Sequence, residues 1–256
     1  MSGHLAVVGL GPGDARYLTA EAEATLADAE ALYGYAAYLE RVTLRSGQSR
    51  HASDNREERA RAAAALDHAA RGARVAIVSG GDPGVFAMAA ALCEEIEAGP
   101  EPWRRLDVAI VPGITAMLAV SARIGAPLGH DFCALSLSDN LKPWELIERR
   151  LDAAAGAGFV IALYNPVSRA RPWQFGAAIE RLRRHLPDAT PVVFGRAVGR
   201  PDEAVSVTTL DAARAAPADM ATLVIVGARE TRVIVRPGRS PLVYTPRAAV
   251  AAEVST

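Results

Sequence analysis

Val75-Ala76-Ile77-Val78-Ser79-Gly80-Gly81-Asp82-Pro83-Gly84-Val85-Phe86 is the stretch that decides the fold. Val75, Ile77 and Val78 are β-branched, and with Ala76 they read as a strand buried on both faces. Ser79 to Gly84 then interrupts regular structure at once. A run of small residues from Val85 to Cys93 continues as a helix toward Glu97. The chain therefore passes from strand to a tight, nearly side-chain-free loop to helix. In an open α/β sheet, ligands dock beyond the carboxyl ends of such strands. Gly80 and Gly81 permit close approach to the backbone. Pro83 fixes the loop, and Asp82 supplies an acceptor. A plain βα turn favours the same residues, so the neighbouring strand ends must decide between the two readings.

Two more strands end in the same way. His4 to Leu10 runs into Gly9-Leu10-Gly11-Pro12-Gly13-Asp14, and Leu106 to Val111 runs into Pro112-Gly113-Ile114-Thr115-Ala116. The first loop fails the dinucleotide pattern G-x-G-x-x-G, because Asp14 stands at the last glycine and its carboxylate would repel a pyrophosphate. Three such ends point to one cleft built from backbone. Thr19 caps a helix that reaches about Asp28. Ala29 to Leu32 reads as a second strand, followed by the aromatic patch Tyr33-Gly34-Tyr35 and Tyr38. That patch suits core packing or a wall against a flat ligand. No acid ends the strand to hold a ribose diol, which counts against an NAD site. Residues 45 to 55 read as loop, and Ser53 or Asp54 caps an alanine-rich helix that stops at Gly72.

Composition excludes several classes. The 28 basic and 29 acidic residues leave no bulk charge for nucleic acid or anionic lipid. Cys93 and Cys133 are too few for a disulfide framework, and both read as buried thiols. No zinc-type cluster is present, so no metal site is expected. No apolar run reaches the roughly 18 residues of a spanning helix. The first ten residues form a strand and a glycine turn rather than a signal peptide. The expectation is a soluble, cytoplasmic protein.

In the second half, Ile124 to His130 reads as a linker, with the boundary near Pro127. The expected domains are 1–126 and 127–247, with a tail over 248–256. Strands are expected over Phe132–Leu137, Phe159–Leu163, Pro191–Phe194, Ala204–Thr208, Thr222–Val226, Val233–Val235 and Leu242–Tyr244. Helices are expected from Pro143 to about Asp152 and over Trp173–His185. The fold class is α/β, with two α/β domains.

Taken in series, five loops carry a resemblance: Gly9 to Asp14, Gly80 to Gly84, Pro112 to Ala116, Leu163-Tyr164-Asn165-Pro166 and Thr222-Leu223-Val224-Ile225-Val226-Gly227. They resemble the tetrapyrrole methylases, the S-adenosylmethionine-dependent methyltransferases of cobalamin and sirohaem synthesis. The similarity covers nearly the whole chain, in order. Ser136-Leu137-Ser138-Asp139-Asn140-Leu141-Lys142-Pro143-Trp144, Tyr164-Asn165-Pro166 and Tyr33-Gly34-Tyr35 are similar to the ring-contracting precorrin-3B C-17 branch. Uroporphyrinogen methylases would place an aspartate near Gly34.

The resemblance implies a homodimer of two-domain chains with S-adenosyl-L-methionine folded in a cleft between the domains and S-adenosyl-L-homocysteine as product. It places Leu10 at the mouth of the first loop and Gly81, Asp82, Val85 and Phe86 along the cofactor. Thr115 and Ala116 lie opposite, and Asn165, Ala197 and Thr222 come from the second domain. The macrocycle would lie near Asp14, Tyr33, Ser138 and Asp139. Arg16, Arg169 and Arg171 could hold its carboxylates or be ordinary surface charge. Asp14 and Asp139 could move the proton that ring contraction requires, or could simply cap turns. The implied reaction is methylation of precorrin-3B at carbon 17 with contraction to precorrin-4. The alternatives are a methylase of the same fold acting on cobalt-factor III or another corrin carbon, and a non-catalytic tetrapyrrole carrier.

Overall fold

A computed structural model describes residues 3–248 except Asn55, Arg169 and Ala170. The expected tail, from Ala249 onward, lies outside the described residues. The chain forms two compact units, the first ending at Ala116 and the second beginning at Met117.

The first unit runs β1 (His4–Gly9), α1 (Ala20–Asp28), β2 (Ala31–Tyr35), α2 (Ala36–Leu39), β3 (Ser49–Ser53), α3 (Glu58–Ala70), β4 (Arg74–Ser79), α4 (Met88–Ala98), α5 (Glu101–Arg104) and β5 (Asp107–Val111). Its sheet has the order β3-β2-β4-β1-β5, and every pairing is parallel. Leu5, Val7, Val75 and Ile77 face a core with Ala62, Leu66 and Leu92 of α3 and α4. Ala6, Val8, Ala76 and Val78 face the opposite core, with Ala22 and Leu26 of α1. Burial on both faces is why β1 and β4 read as unbroken apolar runs.

Local signals held at several ends. The Thr19 hydroxyl accepts from the Ala22 N–H at 3.0 Å, capping α1. Gly72 closes α3 at φ +98°. Other expectations need correcting. The segment expected as loop contains β3, a polar edge strand whose pairing with β2 supplies what its side chains do not advertise. α3 starts at Glu58 with no side-chain cap. Ser53 instead accepts from Arg61 at 2.7 Å, and the Asp54 N–H donates to the Glu57 carboxylate. α4 starts at Met88 rather than Val85, and Cys93 on it is exposed rather than buried. Cys133 is half-buried, and burial pushes its thiol pKa up.

The second unit contains α6 (Ala116–Ile124), which opens at the last residue of the first unit. There follow β6 (Gly125–Ala126), β7 (Phe132–Ser136), α7 (Trp144–Gly156), β8 (Val160–Tyr164), α8 (Gln174–Leu182), β9 (Pro191–Arg196), β10 (Ala204–Thr209), β11 (Thr222–Val226), β12 (Arg232–Arg236) and β13 (Arg239–Tyr244). The main sheet has the order β10-β9-β11-β8-β7, with only β7 and β8 parallel. Ile147, Leu151, Phe175, Ile179 and Phe194 fill the core beneath α7 and α8.

The units divide ten residues before the expected boundary near Pro127. α6 packs with the second unit: Val120 occupies the space beside Gly195 of β9, and Arg123 donates to Glu203 at 2.6 Å. The expected linker contains β6, which pairs with β13 in a small sheet of order β12-β13-β6. The buried Thr245 hydroxyl donates to the Pro127 carbonyl at 2.7 Å and fixes that segment.

Candidate active site

In the first unit, the three glycine-bearing strand ends interlock through backbone. The Leu10 N–H donates to the Ser79 carbonyl at 2.8 Å. Gly11 and Gly81 exchange two bonds, at 3.1 and 2.9 Å. A Cβ on Gly113 would lie 2.2 Å from the Gly81 oxygen, so the third loop requires glycine there. The crossovers after β1 and β4 lead to α1 and α4 on opposite faces of the sheet. Diverging connections of this kind open a crevice at the strand ends.

Asp82 plays a part that sequence reading did not give it. It was expected to meet polar atoms of the cofactor. Its Oδ1 accepts from the Gly84 N–H at 2.8 Å and its Oδ2 from the Gly113 N–H at 3.1 Å. The carboxylate thus closes its own loop and ties it to the next. Gly81 faces Thr115, whose Cα would be 3.7 Å from a Cβ on that glycine. Thr115 and Leu10 are buried, whereas Ala116 and Val85 are half-buried and Phe86 is exposed.

Two residues of the segment after β2 brace these loops. The Tyr38 ring covers Gly80, within 2.7 Å of where a Cβ would sit. Arg41 donates to carbonyls of the first loop. Tyr38 was legible as part of an aromatic patch. Arg41 carried no signal, being one arginine among many.

In the second unit, Asn165, Ala197 and Thr222 share one end of the sheet. β11 runs antiparallel to β8 and β9, so its first residue, Thr222, pairs with Arg196 and lies at the end where β8 finishes. The Ala197 N–H donates to the Ala221 carbonyl at 2.9 Å. The Thr222 hydroxyl donates to Asp219 at 2.8 Å, and Arg196 holds the other oxygen of that carboxylate at 2.8 Å. Burial raises the Asp219 pKa, but the bonds from Thr222, Arg196 and the Ala221 N–H outweigh it and leave the carboxyl below its ordinary range. Asn165 donates from its amide to the buried Ser136 hydroxyl at 2.9 Å.

Phe86, Asn165 and Ala197 have φ of +52°, +53° and +48°, and they are the non-glycine residues with positive φ among the described residues. Such backbone costs of order 1–3 kcal/mol per residue and concentrates at ligand sites. All three were expected to line the cofactor.

The residues expected near the macrocycle divide. Asp14 caps a single 3-10 turn, accepting from the Arg16 N–H at 2.9 Å, and its side chain remains half exposed. Ser138 donates its N–H to Ser136 at 3.3 Å. Asp139 accepts from Arg171 at 2.9 Å and from Gln174 at 3.3 Å. Burial raises its pKa, but these bonds overcome that and hold the carboxyl below its ordinary value. Arg171 is thereby engaged within the unit, and it also donates to Asn140. Arg16 lies beside Asp14 and over the Tyr17 ring. Arg169 lies outside the described residues.

Tyr33 was expected to border the macrocycle. It lies inside β2 and is 8% exposed. Its ring stacks on His51 at 4.3 Å, and its hydroxyl is 3.1 Å from His68 Nδ1. Its register partner in β3 is His51, which draws the ring into the core beneath α3.

The chemistry of these strand ends fits a sulfonium cofactor. They combine glycine loops that a Cβ would obstruct with the apolar Leu10, Val85 and Phe86, and such a setting suits an already activated methyl that needs alignment rather than a nucleophile. The family of Tetrapyrrole (Corrin/Porphyrin) Methylases matches residues 4–214, and the chain belongs to it. The chain is 62% identical to a precorrin-3B C(17)-methyltransferase of Sinorhizobium sp, over 96% of this chain and 97% of that one. A probable cobalt-factor III C(17)-methyltransferase of Salmonella typhimurium is 39% identical, over 95% and 98%. The crystal structure of the methyltransferase CobJ superposes with a TM-score of 0.89 at 50% identity, covering 96% of this chain and all of that one.

Proposed function

We propose that the protein transfers a methyl group from S-adenosyl-L-methionine to carbon 17 of precorrin-3B, with ring contraction to precorrin-4, in cobalamin biosynthesis. The observation that carries this reading is the 62% identity to the Sinorhizobium enzyme of that name across nearly both chains. The lower identity to the cobalt-factor III relative, 39% against 62%, favours the metal-free substrate over the cobalt-loaded one.

The bound cofactor supplies an activated methyl group. The protein's task is alignment, which can lower a barrier by roughly 7 to 11 kcal/mol. In this reading Leu10, Gly81, Asp82, Val85, Phe86, Thr115 and Ala116 of the first unit, and Asn165, Ala197 and Thr222 of the second, hold the cofactor. Asp82 acts by fixing two loops relative to each other. Asp14 and Asp139 border the macrocycle with Ser138. Asp139 is held anionic by Arg171 and serves to orient. Asp14, more open, accepts the proton from the hydroxyl on carbon 20 as that carbon leaves the ring. The protein works as a cytoplasmic homodimer. The edge strand β12, which exposes Val233, Ile234 and Val235, supports self-association.

The test is calorimetry with S-adenosyl-L-homocysteine, then turnover of labelled S-adenosyl-L-methionine with precorrin-3B and, separately, cobalt-factor III. The expected result is tight product binding and one methyl added to precorrin-3B with a ring-contracted spectrum. Asp14→Asn then slows turnover while leaving cofactor binding intact. Preference for cobalt-factor III would reassign the substrate. Binding without any transfer would favour a carrier.

A further inference from the structure

We propose that Arg41 is a positioning residue that sets the cofactor loop Leu10–Gly13 by gathering its carbonyls on one guanidinium nitrogen. Arg41 Nη2 donates to Leu10 O at 2.7 Å, Gly11 O at 3.1 Å and Gly13 O at 2.7 Å. That nitrogen carries two hydrogens for three acceptors, so at least one bond is shared. The contact is half-buried, where charge-assisted bonds are stronger than neutral ones.

The loop is thereby gripped from two sides. Its N–H groups at Leu10 and Gly11 are taken by Ser79 and Gly81 at the end of β4. Its carbonyls are taken by Arg41. Gly11, at φ +64°, admits no side chain, because a Cβ there would lie 2.9 Å from the Tyr17 carbonyl oxygen. The Arg41 N–H itself donates to Tyr38 O at 3.1 Å, and Tyr38 covers Gly80. One short segment after β2 therefore braces both glycine loops. Without the guanidinium, the Leu10 and Gly13 carbonyls would turn toward water, and their peptide planes with them, while Gly11 O keeps the Gly81 N–H. Arg41 acts through the loop and takes no part in methyl transfer.

This inference rests on the reading that the first loop borders S-adenosyl-L-methionine, and its test separates the two. Arg41→Met and Arg41→Lys are compared with the unaltered protein in S-adenosyl-L-homocysteine affinity, in KM for precorrin-3B, and in amide hydrogen exchange over residues 10–18. Arg41→Met is expected to weaken binding more than tenfold, change the macrocycle KM less than threefold, and raise exchange in the loop. Arg41→Lys, whose ammonium offers three N–H donors, is expected to retain binding within about fivefold. Unchanged affinity and exchange in Arg41→Met would overturn the proposal, as would equal losses toward cofactor and macrocycle with a lowered melting temperature. If Arg41→Met does not fold, Arg41→Lys decides alone: retained loop protection and affinity support the role, and their loss overturns it. If the unaltered protein binds no S-adenosyl-L-homocysteine, the functional reading fails. Loop exchange in Arg41→Met then decides the positioning role by itself, a rise supporting it and no change overturning it.

Discussion

Asp82 Oδ2 accepts the Gly113 N–H at 3.1 Å, joining the loop after β4 to the loop after β5. Its other oxygen closes its own loop on Gly84. Asp82→Ala leaves both N–H groups without this acceptor and is expected to destabilise the fold by about 1–3 kcal/mol. Asp82→Asn keeps one acceptor oxygen and should fall between the two. Urea denaturation reads the order, and affinity for S-adenosyl-L-homocysteine should decline in the same order. An asparagine variant as stable as the original would mean that one of the two bonds contributes nothing.

Ala197 is buried at φ +48°, where glycine has no steric penalty. Relief of about 1–2 kcal/mol of strain is set against about 0.4–1 kcal/mol of added unfolded-state entropy. Ala197→Gly is therefore expected to stabilise by about 0–1.6 kcal/mol. Ala197→Val puts a branched side chain on the same backbone and should destabilise by about 2 kcal/mol or more. Thermal unfolding of the pair checks both signs.

Gly195 of β9 lies against Val120 of α6, and an added Cβ would stand 2.2 Å from Val120 Cγ2 and 2.7 Å from Cγ1. Gly195→Ala is expected to cost about 1–3 kcal/mol by overpacking. Val120→Ala removes both clashing methyls. The double variant should then be more stable than the sum of the single effects by about 1 kcal/mol or more. Strict additivity in a denaturation cycle would show that the helix moves instead.

Asp152 on α7 is gripped by Arg181 through Nε and Nη2, the latter at 2.6 Å, and by His185 at 2.9 Å. The Arg181 bonds, chiefly, pull its pKa from 3.8 to about 2, against a smaller opposing effect of burial. A carboxylate with a lower pKa when folded binds fewer protons in the folded state. Its contribution is therefore present above the unfolded pKa and is lost as pH falls through the folded one. The side chain is 30% exposed, so after solvent screening the contribution is about 1 kcal/mol. Stability should drop between about pH 4 and 2, and Asp152→Asn should flatten the profile there. Equal slopes for both proteins in acid titration would rule the pair out as the cause.

The parts of the fold legible in the sequence are those where burial imposes a pattern. β1, β4, β8 and β11 are buried almost throughout, and so they appear as short apolar runs. Thr19 and Gly72 mark helix ends because their roles are local. β3 was missed because Ser49-Arg50-His51-Ala52-Ser53 is an edge strand held by its pairing with β2 rather than by its side chains. β6 was read as a linker because two residues with a glycine carry no periodicity until β13 pairs with them. α6 was assigned to the first unit because nothing within it announces that Val120 fits against Gly195.

By itself, the sequence determined the α/β class, the glycine loops at the strand ends and the tetrapyrrole methylase resemblance, all of which rest on neighbouring residues. Tertiary structure alone decided how the polar groups are used. Asp82 reaches Gly113, Arg41 reaches Leu10, Asp139 reaches Arg171, and Tyr33 reaches His68, across 31, 31, 32 and 35 residues of chain. At such separations no helix or strand period links the partners, because each pair is created by the strand crossovers or loop returns that bring distant segments together. The residue types admit many hydrogen bonds, and only the folded chain selects which are made.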